Sequence, residues 1–164
     1  MIETKQKKIT FGLPGRAMSN HVEELFDKAG YMVDIDESGA QARIDDPDIE
    51  CFVGTAKEIA ALVHHERLDG GITNTVAIAE ADATVNIVTR LGTLKPEWKK
   101  TELVLAVPKH TRITTIKELA GKKVITRVPH VATKFFEKHN VEAIIEHSHG
   151  SNEAKVPAFA DALV

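Results

Sequence analysis

The chain has 164 residues, 43% of them hydrophobic and 27% charged, with a formal net charge of −3. That length can bury a sizeable core without covalent staples. The slightly acidic balance excludes a general nucleic-acid or membrane binder, whose affinity would rest on a large positive field, but leaves room for a cationic pocket that takes one anionic metabolite.

The polar start, Met1-Ile2-Glu3-Thr4-Lys5-Gln6-Lys7-Lys8, precedes no long apolar run and predicts neither an export signal nor a membrane span. Residues 9–13 read as a first strand closed by Pro14-Gly15. A helix follows, capped by Ser19 or Asn20, with Val22, Leu25, Phe26 and Ala29 at helical spacing and Gly30 as its stop. Residues 49–53 form a short apolar strand that contains Cys51. The lone cysteine rules out an internal disulfide, favours a cytoplasmic compartment, and in this run reads as a buried structural thiol rather than a nucleophile. Residues 56–68 are helical, Gly70-Gly71-Ile72-Thr73 is a compact strand and turn, and residues 85–91 alternate like a strand. Leu103-Val104-Leu105-Ala106-Val107-Pro108 is an almost continuous apolar strand, as in sheets covered on both faces. A capped helical turn at 114–119, a strand at 122–126, a helix at 133–139 and a strand at 141–146 come next. A helix beginning near Glu153, limited by Pro157, and the start of another strand at 161–164 complete the chain.

Strands alternating with helices predict an α/β fold with mixed or parallel sheets flanked by helices. The pattern breaks around Gly92, Thr93, Lys95 and Pro96, which predicts a first lobe of residues 1–92 and a second of 93–164. A cleft between lobes is a common place for small ligands.

Three small-residue turns follow strands. At Pro14-Gly15-Arg16, glycine lets a ligand approach the backbone and arginine offers a planar fork for phosphate, although a plain loop with a solvated arginine fits as well. At Gly70-Gly71-Ile72-Thr73-Asn74-Thr75, hydroxyls and amides could hold an anion or ribose, while tight helix packing would explain the glycines equally. The third is His147-Ser148-His149-Gly150-Ser151-Asn152-Glu153. Its His-x-His pair lacks further ligands at zinc-like spacing, so the expectation is no metal there and an anion or hydroxyl site at Gly150-Ser151 instead. Nucleophile elbow, Walker loop and dinucleotide fingerprint are all absent from the sequence.

In this order the turns resemble the catalytic domain of the ATP phosphoribosyltransferase family. The match is carried by Phe11-Gly12-Leu13-Pro14-Gly15-Arg16 with Lys28-Ala29-Gly30-Tyr31, by Asp69-Gly70-Gly71-Ile72-Thr73, and by the 103–108 run. Arg127-Val128-Pro129-His130-Val131 with Lys134-Phe135-Phe136 and Gly150-Ser151-Asn152-Glu153-Ala154-Lys155-Val156-Pro157 with Ala160-Asp161-Ala162 complete it. The resemblance implies a two-lobed fold like that of type II periplasmic binding proteins. It implies transfer of phosphoribosyl from phosphoribosyl diphosphate to N1 of ATP, the first step of histidine synthesis, with magnesium on the diphosphate and a homo-oligomer or a regulatory subunit as partner. Gly15 and Arg16 would face the nucleotide and diphosphate, Thr73 would line the first lobe, and Gly150, Ser151 and Glu153 would approach the phosphoribosyl group; no single catalytic residue is implied. The sequence departs from the family's pattern in lacking a lysine between Pro14 and Gly15, in carrying Asn74 where a glycine is usual, and in having no arginine near Thr55. The family's Thr-Gly loop for the 5′-phosphate would begin just after Val164, so this chain alone is expected to be inactive. A non-catalytic anion- or nucleotide-binding module of the same fold is the competing expectation.

Overall fold

The computed structural model describes residues 8–15, 19–36, 38–91 and 102–164. The chain divides into two compact units, Met1–Lys100 and Thr101–Val164. Of the 91–98 stretch, where the sequence predicts the crossing between lobes, only Leu91 lies among the described residues.

In the first unit the chain runs β1 (Ile9–Pro14), α1 (Ser19–Lys28), β2 (Val33–Ile35), β3 (Ala42–Ile44), β4 (Ile49–Gly54), α2 (Ala56–His64), β5 (Gly70–Gly71) and α3 (Thr75–Glu80). β1 is central, parallel to β4 along all six residues and to β5 through Phe11↔Gly70 and Gly12↔Gly71. Parallel neighbours need a crossover, and helices supply it. The apolar spacing of α1 buries Val22 beside Leu13, Val33 and Ile35, with Phe11, Phe26 and Cys51 packed around them. Cys51 is thus a half-buried packing group, and burial pushes its thiol up from the ordinary value. α2 buries Ile59 and Ala60 fully, and Ile59 lies over the small strand positions at Gly12 and Gly71.

The second unit comprises a 3-10 turn (Ile116–Leu119), β6 (Lys123–Thr126), α4 (Pro129–Lys138), β7 (Ile144–His147), α5 (Asn152–Lys155) and β8 (Ala162–Leu163). β6 is central and parallel to both β7 and β8. Its core gathers Leu119, Val124, Phe136, Val141 and Ala162. Both units therefore share one winding order, in which the first parallel strand is central, the second lies to one side and the third to the other.

Several expectations need correction. Residues 83–91 carry neither helix nor strand, and Val88 is 96% exposed. The 103–108 run is not a strand either: it makes one antiparallel bridge, Ala106↔Leu163, while Leu103 and Val104 face solvent. A strand exists only through its neighbour's hydrogen bonds, and β8 contributes two residues. α2 ends at His64 rather than at residue 68, because Glu66 turns to positive φ. α4 begins at Pro129 rather than 133, since proline's fixed φ suits the first helical position. The antiparallel β2–β3 pair and α3 were not expected at all.

Candidate functional site

In α/β sheets with this winding, ligands bind beyond the carboxyl ends of the strands, where connections from the central strand diverge to opposite sides. In the first unit that end is formed by Pro14-Gly15 after β1 and Ile72-Thr73 after β5. Gly12 O accepts from Ile72 N–H at 2.9 Å, which fixes the two turns side by side. The structure thus brings Gly15 and Thr73 to one end of one sheet. Arg16 lies outside the described residues.

The loop between β2 and β3 covers the Gly15 turn. A Cβ built on Gly15 would lie 2.6 Å from Gly39 O and 2.6 Å from Val53 Cγ1, so the close approach that glycine permits here is made by the protein's own backbone. The Asp36 carboxylate shapes that loop by accepting from Ser38 Oγ at 2.6 Å and from the Ala40 and Gln41 amides at 2.8 and 2.9 Å. The Ser38 bond first, then the amides, hold its carboxyl below the ordinary range.

Thr73 donates its hydroxyl hydrogen to Ala56 O at 2.6 Å, tying the β5–α3 turn to the first residue of α2. What it still offers a ligand is lone pairs, so a group placed beside it must be a donor. Asn74 does not leave the open space of a glycine. It caps α3, its Oδ1 accepting from Ala77 N–H at 2.8 Å. Thr55, where the family arginine is missing, caps α2 in a reciprocal box: its hydroxyl accepts from Glu58 N–H at 3.2 Å and its own N–H donates to the Glu58 carboxylate at 2.8 Å. Lys57, in the first turn of α2, reaches Glu80 on α3 at 3.2 Å, and the Glu80 side chain is only 4% exposed.

In the second unit the corresponding end carries Arg127, exposed after β6, and the His147–Glu153 turn after β7. Thr126, fully buried, accepts from Val128 N–H at 3.0 Å and shapes the entry to α4. Gly150 and Ser151 both have positive φ, 72° and 49°. Ser151 and Glu153 are exposed, so Gly150, Ser151 and Glu153 stand together at this sheet end. His147 and His149 are exposed on either side of buried Ser148, their rings 4.3 Å apart and edge to face. Among the described residues, no group of three or more His, Cys, Asp or Glu is placed to hold a metal ion. Sequence reasoning assigned no role to Lys155, whose ammonium donates to Ser148 Oγ and Gly150 O. A lysine seven residues from a serine carries no periodic signal that would have revealed this.

Both units are α/β, and each places hydroxyls, positive-φ turns or helix starts at the carboxyl ends of its strands, the end at which α/β sheets of this winding commonly take ligands. The family model of HisG, ATP phosphoribosyltransferase, matches residues 55–164, and the chain belongs to that family. The chain is 33% identical over 156 residues to the ATP phosphoribosyltransferase of Desulforudis audaxviator, covering 95% of this chain and 54% of that protein. It is 33% identical over 163 residues to that of Prosthecochloris aestuarii, with 99% and 55% covered. It spans about half the length of the curated relatives it matches. Among solved structures, the ATP phosphoribosyl transferase (HisG:HisZ) complex from Thermotoga maritima superposes with a TM-score of 0.72 at 21% identity, over 95% of this chain and 72% of that one. That likeness shows the fold, a mixed α/β architecture of parallel and antiparallel sheets with helices. Among the described residues no helix is long and apolar enough to cross a membrane.

Proposed function

We propose that this chain carries the substrate-binding turns of an ATP phosphoribosyltransferase, the enzyme that joins N1 of ATP to C1 of phosphoribosyl diphosphate in the first step of histidine synthesis. The observation that carries the reading is the family match across residues 55–164, which includes the turns at Thr73 and at Gly150, Ser151 and Glu153. A two-lobed arrangement of the type II periplasmic-binding-protein kind belongs to the same proposal, on the strength of family membership.

In this reading the adenine nitrogen attacks C1 as the diphosphate leaves from the opposite face, which inverts that carbon. Such a step needs orientation and charge stabilisation rather than a covalent intermediate. Arg16 faces the nucleotide and diphosphate, and Gly15, whose Cβ side is closed by Gly39 O, lets the turn that carries it stay tight. Thr73, with its hydrogen already donated to Ala56 O, accepts from an amino or hydroxyl group of the ligand. Gly150, Ser151 and Glu153 approach the phosphoribosyl group. Magnesium bound to the diphosphate would supply charge neutralisation for the leaving group. The Thermotoga protein is a complex of HisG with HisZ, which supports a second protein chain as partner; a homo-oligomer is the other form the family resemblance suggests.

The test is the absorbance of phosphoribosyl-ATP formed from magnesium, ATP and phosphoribosyl diphosphate at high protein concentration, with and without a HisZ-type partner. The 164-residue chain should give no product above background. The same chain joined to the remaining portion of the Desulforudis relative should give product, because the resemblance puts the 5′-phosphate cradle in that portion. A folded joined protein that binds neither substrate contradicts the reading.

A further inference from the structure

The turn from β7 into α5 is held in an unusual way. Ser151, the residue before α5, is left-handed at φ 49° and ψ 39°, and its side chain makes no capping bond. Gly150 before it has φ 72°. Two consecutive residues at positive φ, one of them not glycine, persist only where the surroundings fix them. The backbone supplies Gly150 N–H to Ser148 O and Ala154 N–H to Ser151 O, both at 3.2 Å. The side chain that spans the turn is Lys155. Its ammonium donates to Ser148 Oγ at 2.5 Å and to Gly150 O at 3.0 Å. Ser148 is 8% exposed, so one anchor lies in the protein interior and the other is the carbonyl of the left-handed glycine. The lysine thereby closes α5 back over the turn and leaves Ser151 and Glu153 exposed.

We infer that Lys155 is a positioning residue, clamping the Gly150–Ser151 turn in the conformation that presents Ser151 and Glu153 to the phosphoribosyl group; this rests on the function proposed above. Arginine keeps two donors and a charge at that place, whereas methionine keeps the length and removes both. The lysine acts on the ligand through the turn, so its loss should show in affinity more than in global stability.

The experiment is calorimetric titration of the 164-residue chain with magnesium phosphoribosyl diphosphate, alongside melting temperatures, for wild type, Lys155→Met and Lys155→Arg. Lys155→Met should bind about tenfold more weakly, as expected for losing charged hydrogen bonds that organise a site. Its melting point should change by no more than about 3 °C, and Lys155→Arg should recover affinity to within about threefold of wild type. Equal affinities for wild type and Lys155→Met, or a loss that Lys155→Arg does not repair, overturn the positioning role alone. A folded wild type that binds no phosphoribosyl diphosphate overturns the positioning role, and the functional reading falls with it only if the joined protein binds none either. Should Lys155→Met not fold, Ser148→Ala carries the test by removing the buried anchor, with the same direction expected and unchanged affinity as the contrary result.

Discussion

A methyl group added at Gly71 would lie 2.6 Å from Ile59 Cγ2 and 2.9 Å from Gly12 O. Both distances are shorter than van der Waals contact allows, and one neighbour is backbone that cannot swing aside. Gly71→Ala should therefore destabilise the protein by about 1–3 kcal/mol, the usual cost of overpacking a tight site, read as a lower urea midpoint. Unchanged stability would mean that both α2 and the β1 backbone at Gly12 can give way at no cost. The same consideration limits what glycine-rich turns say in a sequence. Glycine before a ligand and glycine under a helix look alike, and at Gly12 and Gly71 packing against Ile59 accounts for it. At Gly15 the loop carbonyl of Gly39 does. What the sequence did make legible was the place of these turns, after strands, and the hydroxyl at Thr73. The direction of that hydroxyl's bond, into Ala56 O, depends on where α2 starts and could not be read in advance.

Elements were legible where a local signal and a partner coincided. The apolar run 9–13 and the periodic helix after it appear as β1 and α1, because each has both a face to bury and a neighbour to bury it against. The equally apolar run at 103–108 has only the Ala106↔Leu163 bridge, and composition cannot report a missing neighbour. β2 and β3 are three residues each, too short for alternation to stand out. The helical starts at α2 and at the 3-10 turn share a device with a pH consequence. The Glu58 carboxyl is held below its ordinary 4.5 by the Thr55 N–H first and the Thr55 hydroxyl second. The Glu118 carboxyl is held below 4.5 by the N–H groups of Thr114 and then Thr115. A carboxyl whose folded value lies below its unfolded one contributes stability that is fully present above 4.5 and is lost as pH falls through the folded value. The melting temperature should thus hold from neutral pH down to about 5 and drop below that. The double variant Glu58→Gln, Glu118→Gln should start lower at neutral pH and fall less steeply in acid. An acid slope identical to wild type would show that these caps contribute nothing to the pH dependence.

At the scale of the molecule, two units repeat one winding, β4-β1-β5 and β7-β6-β8. That repetition gives each unit the same kind of strand-end turns. Membership of the ATP phosphoribosyltransferase family turns the two ends into a specific expectation: nucleotide and diphosphate at the turns of the first, phosphoribosyl at those of the second. The alternation of strands and helices showed the α/β class directly, whereas the family rested on five short segments in order rather than on any one of them. The most direct measurement is calorimetric titration of the folded 164-residue chain with AMP and with magnesium phosphoribosyl diphosphate, in wild type and in Arg16→Ala. The proposed function predicts measurable binding of both ligands by the wild type. It predicts a loss of about tenfold or more in Arg16→Ala, since a guanidinium on phosphate makes charge-assisted bonds of roughly 1.5–3 kcal/mol, with little change in melting temperature. Binding of neither ligand, or equal affinities in the two proteins with a lower melting point for Arg16→Ala, would contradict it.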